Sequence, residues 1–195
     1  MAVSAVLLNW KRPDNTRVIV DSLVCSGVAD EIIIMDHSQD QFSLKEYSSE
    51  KGKYLRVKIV RSENNYTYGR YLGAMAARND QIIVQDDDCL VYNWRDLIDK
   101  NIDTCAVVTN TDMYNPKEYV IGDRLETLVG WGACFNKHCL RPISDMEFND
   151  WQRKSADRIF TLSQDVPPYV FRVPIAHLPG ATAPFALYRS EGYQD

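Results

Sequence analysis

Val3 to Leu8 is a short apolar run that closes on Asn9-Trp10. Unbroken runs of this length, bounded by polar residues, predict strands covered on both faces. Arg12-Pro13-Asp14-Asn15 opens a helix, since proline suits a first turn. Val18, Val20, Leu23 and Val24 carry it on to a natural stop at Gly27. Glu31 to Asp36 predicts a second buried strand, residues 37–53 a polar loop, and Leu55 to Val60 a third, alternating strand. A helix follows over Tyr68 to Arg78, with Leu72, Met75 and Ala76 on one face. Gln81 to Gln85 is a fourth buried strand running into Asp86-Asp87-Asp88. Trp94 to Lys100 reads as a short helix and Thr104 to Asn110 as a fifth strand. Strands alternating with helices imply βαβ units and a largely parallel sheet, hence an α/β fold.

Beyond Thr111 the pattern changes. Residues 112–129 read as extended excursions with turns at Asn115-Pro116 and Gly122-Asp123. Asp145 to Leu162 is helical in pattern, Val170 to Ile175 is a last strand, and residues 179–195 read as a mobile tail. At 195 residues the chain is expected to be one domain over 1–178, with halves 1–110 and 111–178.

The first, second and fourth strands each end in polar residues: Asn9-Trp10-Lys11-Arg12, Asp36-His37-Ser38 and Asp86-Asp87-Asp88. Ligands of open parallel sheets bind outside the carboxyl ends of the strands. Three polar clusters at equivalent ends would line one crevice. The aspartate triplet is the sharpest of them, because adjacent carboxylates repel and resist desolvation. A hard divalent cation relieves that repulsion, and oxygen ligands suit Mg²⁺ or Mn²⁺. Alternation along an extended segment would put Asp86 and Asp88 on one face.

A net charge of −5 does not draw in nucleic acid or an anionic membrane. Five scattered cysteines, with no CxxC pair, support neither a zinc ribbon nor a redox motif. Cys25, Cys89 and Cys105 adjoin apolar runs and are expected as reduced core residues in a reducing, cytoplasmic compartment. The opening residues are in the wrong order for a secretory signal, and no stretch is long and apolar enough to cross a membrane. There is no GxxxxGK[ST] phosphate loop and no GxSxG nucleophile turn.

Taken in order, several segments resemble GT-A class nucleotide-sugar glycosyltransferases with a DxD motif. They are the Asn9-Trp-Lys-Arg-Pro-Asp-Asn15 opening, Glu31 to Asp36, and Tyr68-Gly-Arg-Tyr71 through Gln85-Asp-Asp-Asp88. Gly130-Trp-Gly-Ala-Cys-Phe135 and Ala156-Asp-Arg-Ile-Phe-Thr161 continue the series. The flavour is that of exostosin-like and family-2-like sequences, and the likeness runs to about Leu178. It implies a minimal single-domain GT-A fold: a mostly parallel, Rossmann-like sheet flanked by helices, with a small antiparallel excursion on the acceptor side. Residues 1–110 would bind the nucleotide sugar and 111–178 the acceptor.

The same resemblance implies roles. Asn9 and Trp10 would meet the nucleobase, Arg12 the base or diphosphate, and Asp36 the base or ribose. Arg70 would face the nucleotide, Asp86 the ribose and donor sugar, with Asp87 beside it. Asp88 would hold Mn²⁺ or Mg²⁺, with His177 as a further metal ligand. Asp157 would be the base that deprotonates the acceptor hydroxyl in an inverting enzyme, with Asp150 its rival, and Trp131 would stack on a sugar face. Arg189 in the tail would fold over the diphosphate.

Each residue keeps a structural alternative: Trp10 and Trp131 as core, Arg12 and Arg189 as solvated charges, Asp36 as a turn cap, His177 as a structural histidine. Arg70 could pair with a surface carboxylate, and Asp157 with Arg153 or Arg158. The function implied is metal-dependent transfer of a sugar from a UDP-sugar, or another nucleoside-diphosphate sugar, to a glycan, glycoprotein or other hydroxyl acceptor. Two alternatives stand beside it, a non-catalytic nucleotide- or carbohydrate-binding module and a nucleotidyltransferase. The latter lacks a glycine-rich, lysine-bearing loop after the first strand.

Overall fold

The apolar runs become the strands of one central sheet. A computed structural model describes residues 1–38, 55–110 and 127–181, and the backbone of 120–121 and 124–125. In chain order, β1 (Val3–Asn9), α1 (Pro13–Ser26), β2 (Glu31–Asp36), β3 (Arg56–Arg61), α2 (Gly69–Met75) and β4 (Gln81–Asp86) form the first half. A 3-10 turn at Tyr66–Tyr68 leads into α2. Then come β5 (Cys89–Val91), α3 (Trp94–Thr104), β6 (Val108–Thr109), β7 (Val120–Ile121), β8 (Arg124–Leu125) and β9 (Ala133–Asn136). The chain continues through α4 (Arg141–Ser144), α5 (Asp150–Lys154), α6 (Ala156–Leu162), β10 (Tyr169–Val170) and β11 (Ile175–His177).

Among the described residues the main sheet has seven strands in the order β10-β6-β9-β4-β1-β2-β3. β3, β2, β1 and β4 run parallel, and β9 enters antiparallel between β4 and β6. Alternation along the strands divides the core in two. Val6, Leu8, Ile33, Met35, Ile82 and Val84 join Tyr71 and Phe160 in one cluster. Ala5, Leu7, Ile32, Ile34 and Ile83 join Ile19, Leu23, Leu97 and Ile98 in the other. The sheet is thus covered by α2 and α6 on one face and by α1 and α3 on the other, which is why its central strands are apolar on both sides. Among the described residues β3 is the edge strand, and exposed Arg56, Lys58 and Arg61 put charge along it.

Register then aligns the polar ends. Asn9 pairs with Asp36, and Leu8 with Asp86, so the three clusters finish side by side. Asp30 and Arg78 meet at the opposite end of the sheet, where Arg78 Nη2 donates to the Asp30 carbonyl.

Several elements differ from the sequence expectation. α3 runs on to Thr104, because Leu97, Ile98 and Asn101 keep one buried face through the third turn, and it stops at Cys105 with φ +55°. The fifth strand is therefore only Val108–Thr109. The helical stretch 145–162 is two short helices broken at Ser155, and α5 is started by a capping box of Asn149 with Gln152. The expected last strand splits around Pro174, which cannot donate to a ladder. Its first part, β10, joins the main sheet, while β11 forms a separate antiparallel pair with β5. Cys25 and Cys105 are exposed, contrary to expectation; Cys89, Cys134 and Cys139 are buried, and all five are free. Both exposed thiols sit at helix ends, where the apolar face has already turned away.

β7 and β8 pair antiparallel as the small excursion. The turns at Asn115-Pro116 and Gly122-Asp123, and residues 39–53 of the polar loop, lie outside the described residues. Of the expected tail, residues 179–181 are described; 182–195, with Arg189, lie outside. Among the described residues no helix is long and apolar enough to cross a membrane.

Candidate active site

At the carboxyl end of β1, Asn9 is fully buried. Its Nδ2 donates to Asp36 Oδ1 at 2.8 Å, and its Oδ1 accepts from Thr16 Oγ1 at 2.9 Å. Asp36, at the end of β2, also receives the Ser38 hydroxyl at 2.6 Å, and Arg61 Nε lies 3.9 Å from its other oxygen. Asp36 is therefore more than a turn cap: it ties two strand ends together. The Trp10 ring is half-buried, and Lys11 Nζ lies 4.7 Å from its centre. Lys11 itself holds φ +62°, an unusual backbone for a residue with a side chain.

The triplet fans out. Asp87 turns toward α1, where it accepts from the Trp10 N–H at 2.6 Å and from Arg12 Nη1 at 2.5 Å. Asp86 turns the other way, to Arg70 Nη2 at 2.7 Å. Arg70 is 1% exposed, and its Nη1 reaches Asp157 Oδ2 at 2.9 Å. A buried guanidinium thus bridges two carboxylates, one from β4 and one from α6. Tyr71 Oη donates to Asp157 Oδ1 at 2.8 Å, and burial together with Asp157 keeps that phenol protonated. Asp157 is thus held by Arg70, Tyr71 and the Val129 N–H, and neither Arg153 nor Arg158 is bonded to it among the described pairs.

Gly130 makes this closeness possible. A Cβ there would lie 2.2 Å from Asp86 Oδ2, while its carbonyl accepts the Asp86 N–H at 2.8 Å. Trp131, half-buried, meets the exposed His177 ring edge-on at 5.1 Å.

Electrostatics follow from burial. Desolvation pushes Asp87 up to about 7 against the pull of Arg12. Asp88 is pushed up to about 6 by burial and by Asp86, while Arg12, Arg70 and His177 hold it down. Asp157 is raised by burial against Arg70. His37, buried beside Gly69, is lowered to about 4 by desolvation, with Asp36 opposing.

Among the described residues no three His, Cys, Asp or Glu side chains stand close enough to form a metal cage. The residues nevertheless suit a cation shared with a ligand. Asp88 Oδ1 is buried and has no hydrogen-bond partner among the described residues, and the His177 ring is near enough to act on its charge. Mg²⁺-type ions typically take one or two carboxylates and complete their shell with phosphate oxygens and water.

The structure thus brings Asn9, Asp36, Trp10, Arg12 and the aspartate triplet to one end of the sheet, with Arg70, Asp157 and His177 beside them. It leaves Asp150 apart: that side chain is 82% exposed on α5, and Arg153 Nη1 lies 3.8 Å from it. Sequence reasoning missed Tyr71 and Asn15, whose partners are 72 or more positions away. A tyrosine beside an arginine is no signal without the fold.

Comparison with known proteins bears on the family and the fold. The model of the family described as glycosyl transferase family 2 matches residues 4–193. Among curated proteins no sequence matches the chain. Solved structures that share the fold include Staphylococcus aureus TarS 1–349 in complex with UDP, with TM-score 0.62 and 13% identity over 91% of this chain. The match takes in 59% of the TarS chain. HddC from Yersinia pseudotuberculosis superposes with TM-score 0.64 and 12% identity, covering 93% of this chain and 96% of that one. The sheet is that of the GT-A fold, and a family match that spans it from β1 past β11 makes the chain a member of glycosyl transferase family 2.

Proposed function

We propose that the protein transfers a glycosyl unit from a nucleoside-diphosphate sugar, with UDP as the nucleotide, to a hydroxyl of a glycan or similar acceptor, with Mn²⁺ or Mg²⁺ as cofactor. The observation that carries this reading is the chain Asp86–Arg70–Asp157, joined through a buried guanidinium beside Asp88, at the carboxyl ends of parallel strands. Such a crevice is where ligands of open α/β sheets bind. The UDP in the TarS 1–349 structure supports the choice of nucleotide.

In this reading Asn9, Trp10, Asp36, Arg70 and Asp86 line the donor crevice, the Arg12–Asp87 pair stands behind it at the entry of α1, and Asp88 with His177 would hold the cation. When bound, the cation supplies Lewis-acid charge to the departing diphosphate. Asp157 is the base. The acceptor oxygen bonds to the anomeric carbon as the bond to the diphosphate oxygen breaks; the electron pair leaves with the diphosphate and the acceptor proton passes to Asp157. Its raised pKa suits that role, because a base works best when its pKa approaches the working pH. Arg70, Tyr71 and the Val129 N–H take three of its lone-pair sites, which leaves one for the acceptor proton. Arg70 and Tyr71 hold its orientation. If configuration is retained, the same carboxylate instead faces the developing positive charge of the sugar.

A thermal-shift panel tests the nucleotide. UDP with Mn²⁺ is expected to raise the melting temperature more than ADP or CDP with Mn²⁺, since a ligand of the native state stabilises by mass action. Equal shifts for all three would mean that no base is read here. UDP-sugar hydrolysis or transfer with metal separates the enzyme from a non-catalytic module of the same fold.

A further inference from the structure

We propose that Arg12 and Asp87 do not touch the donor but form a positioning pair that holds the turn bearing Asp88 against the segment bearing His177. This rests on the cation reading given above.

The pair is withdrawn from solvent, at 8% and 4% side-chain exposure. Asp87 is committed at three atoms to the entry of α1. One oxygen takes the Trp10 N–H, the other takes Arg12 Nη1, and its carbonyl takes Asn15 Nδ2 at 2.8 Å. The left-handed backbone of Lys11 lies between Trp10 and Arg12, the two residues that reach the same carboxylate. Backbone strain of this kind persists only where the surroundings hold it, and it concentrates at functional sites.

The other edge of Arg12 reaches the far end of the chain. Nε and Nη2 fork onto the Gly180 carbonyl at 3.1 and 2.9 Å, and Asn15 Nδ2 also donates to the Pro179 carbonyl at 2.8 Å. Between these ties and β11, the Leu178 N–H donates to the Asp88 carbonyl at 2.8 Å. On the other side His177 pairs with Cys89 in the β5–β11 ladder. Asp88 and His177 are therefore pinned between a ladder and a guanidinium fork. The ladder ends at His177; past it, the fork ties residues 179–180 to the entry of α1 across 168 positions of sequence. Only arginine offers a planar fork with donors on both edges; lysine is a point charge.

Calorimetry of Mn²⁺ alone, UDP alone and both together tests the proposal on the intact chain and its Arg12→Ala, Arg12→Lys, Asp87→Asn and Asp88→Ala variants. Arg12→Ala and Asp87→Asn are expected to weaken Mn²⁺-dependent UDP binding by about 10–100-fold, the usual effect of losing a residue that orients metal ligands. Arg12→Lys falls between Arg12→Ala and the parent. UDP affinity without metal stays at the parent value, excess Mn²⁺ restores binding, and the Arg12→Ala, Asp87→Asn double variant is no worse than either single one. Hydrogen exchange at the Leu178 amide speeds up in Arg12→Lys, which tests the tie even if Arg12→Ala fails to fold. Loss of metal-free UDP affinity in the Arg12 variants would overturn the proposal, because Arg12 would then touch the nucleotide. Unchanged Mn²⁺–UDP affinity in them would also overturn it, provided Asp88→Ala abolishes that affinity. Full Mn²⁺–UDP affinity in Asp88→Ala would instead remove the cation reading on which the proposal stands.

Discussion

At the residue scale, burial decides which charges are chemically active. Asp157 is mostly buried and tied to Arg70 and Tyr71, while Asp150 stands in water on α5. Asp157→Asn is expected to lower turnover by about 10²–10⁴-fold, the usual worth of a positioned base. UDP affinity should hardly change, since the base faces the acceptor. Asp150→Asn serves as the comparison, with the product anomer read by NMR. A dead Asp150→Asn beside a normal Asp157→Asn would move the base to α5.

His37 gives a pH signature at the same scale. Its folded pKa, about 4, lies below the ordinary 6.5, so the buried ring is neutral and resists protonation. Its contribution is whole above pH 6.5 and is lost as pH falls from there through about 4. Full titration would cost on the order of 3 kcal/mol. Asp87 and Asp88, raised to about 7 and 6, act in the opposite sense, favouring the fold as pH drops through that range. Comparison of urea stability between pH 7 and 4.5 for the parent and His37→Gln isolates the histidine. The parent should lose more stability over that span, and parallel curves would count against a buried neutral His37.

At the scale of elements, α2 works as a lever that delivers Arg70 and Tyr71 to the site. It can do so only by lying close on the sheet. A Cβ at Gly73 would meet Val6 Cγ1 at 2.6 Å and Met35 Cγ at 2.9 Å. Gly73→Ala is expected to cost about 1–3 kcal/mol by overpacking, or roughly 2–4 °C per kcal/mol for a chain of this size. Because the helix shifts as a body, UDP affinity should fall along with the melting temperature. A stability loss with intact UDP affinity would show that α2 relaxes without moving Arg70. The existence of α1 and α3 was legible in the sequence, but the buried face of α1 carries Ile19 and leaves Val18 exposed. The boundaries of α3 and β6 were not legible, because a buried face that continues for one more turn looks the same as the start of a strand until the packing is known.

At the scale of the whole molecule, packing sorts the cysteines in a way composition cannot. Cys25 and Cys105 are exposed, whereas Cys89, Cys134 and Cys139 are buried, and burial raises the pKa of these three thiols. Thiolate is the reactive form. A maleimide is therefore expected to label Cys25 and Cys105 quickly in the native protein, and the other three only after unfolding, as read by peptide mass mapping. Rapid native labelling of Cys134, in the centre of the sheet, would contradict the strand order around β9.

The sequence by itself determined the parallel half of the sheet and the end at which its polar clusters meet. Those signals are local: an apolar run, its period, and the polar residues that stop it. Asn9, Asp36 and Asp86 could be placed at equivalent strand ends because each closes an apolar run; the strand order and register that set them side by side came from the packed sheet. What only the tertiary structure decided is which charges face each other. Arg12 meets Asp87 across 75 positions and Gly180 across 168; Arg70 meets Asp157 across 87. The antiparallel insertion of β9 and the split of the last strand around Pro174 belong to the same class. Pairings at such separations leave no periodic trace in one chain, because each depends on the packed sheet and helices that bring both partners to the same place.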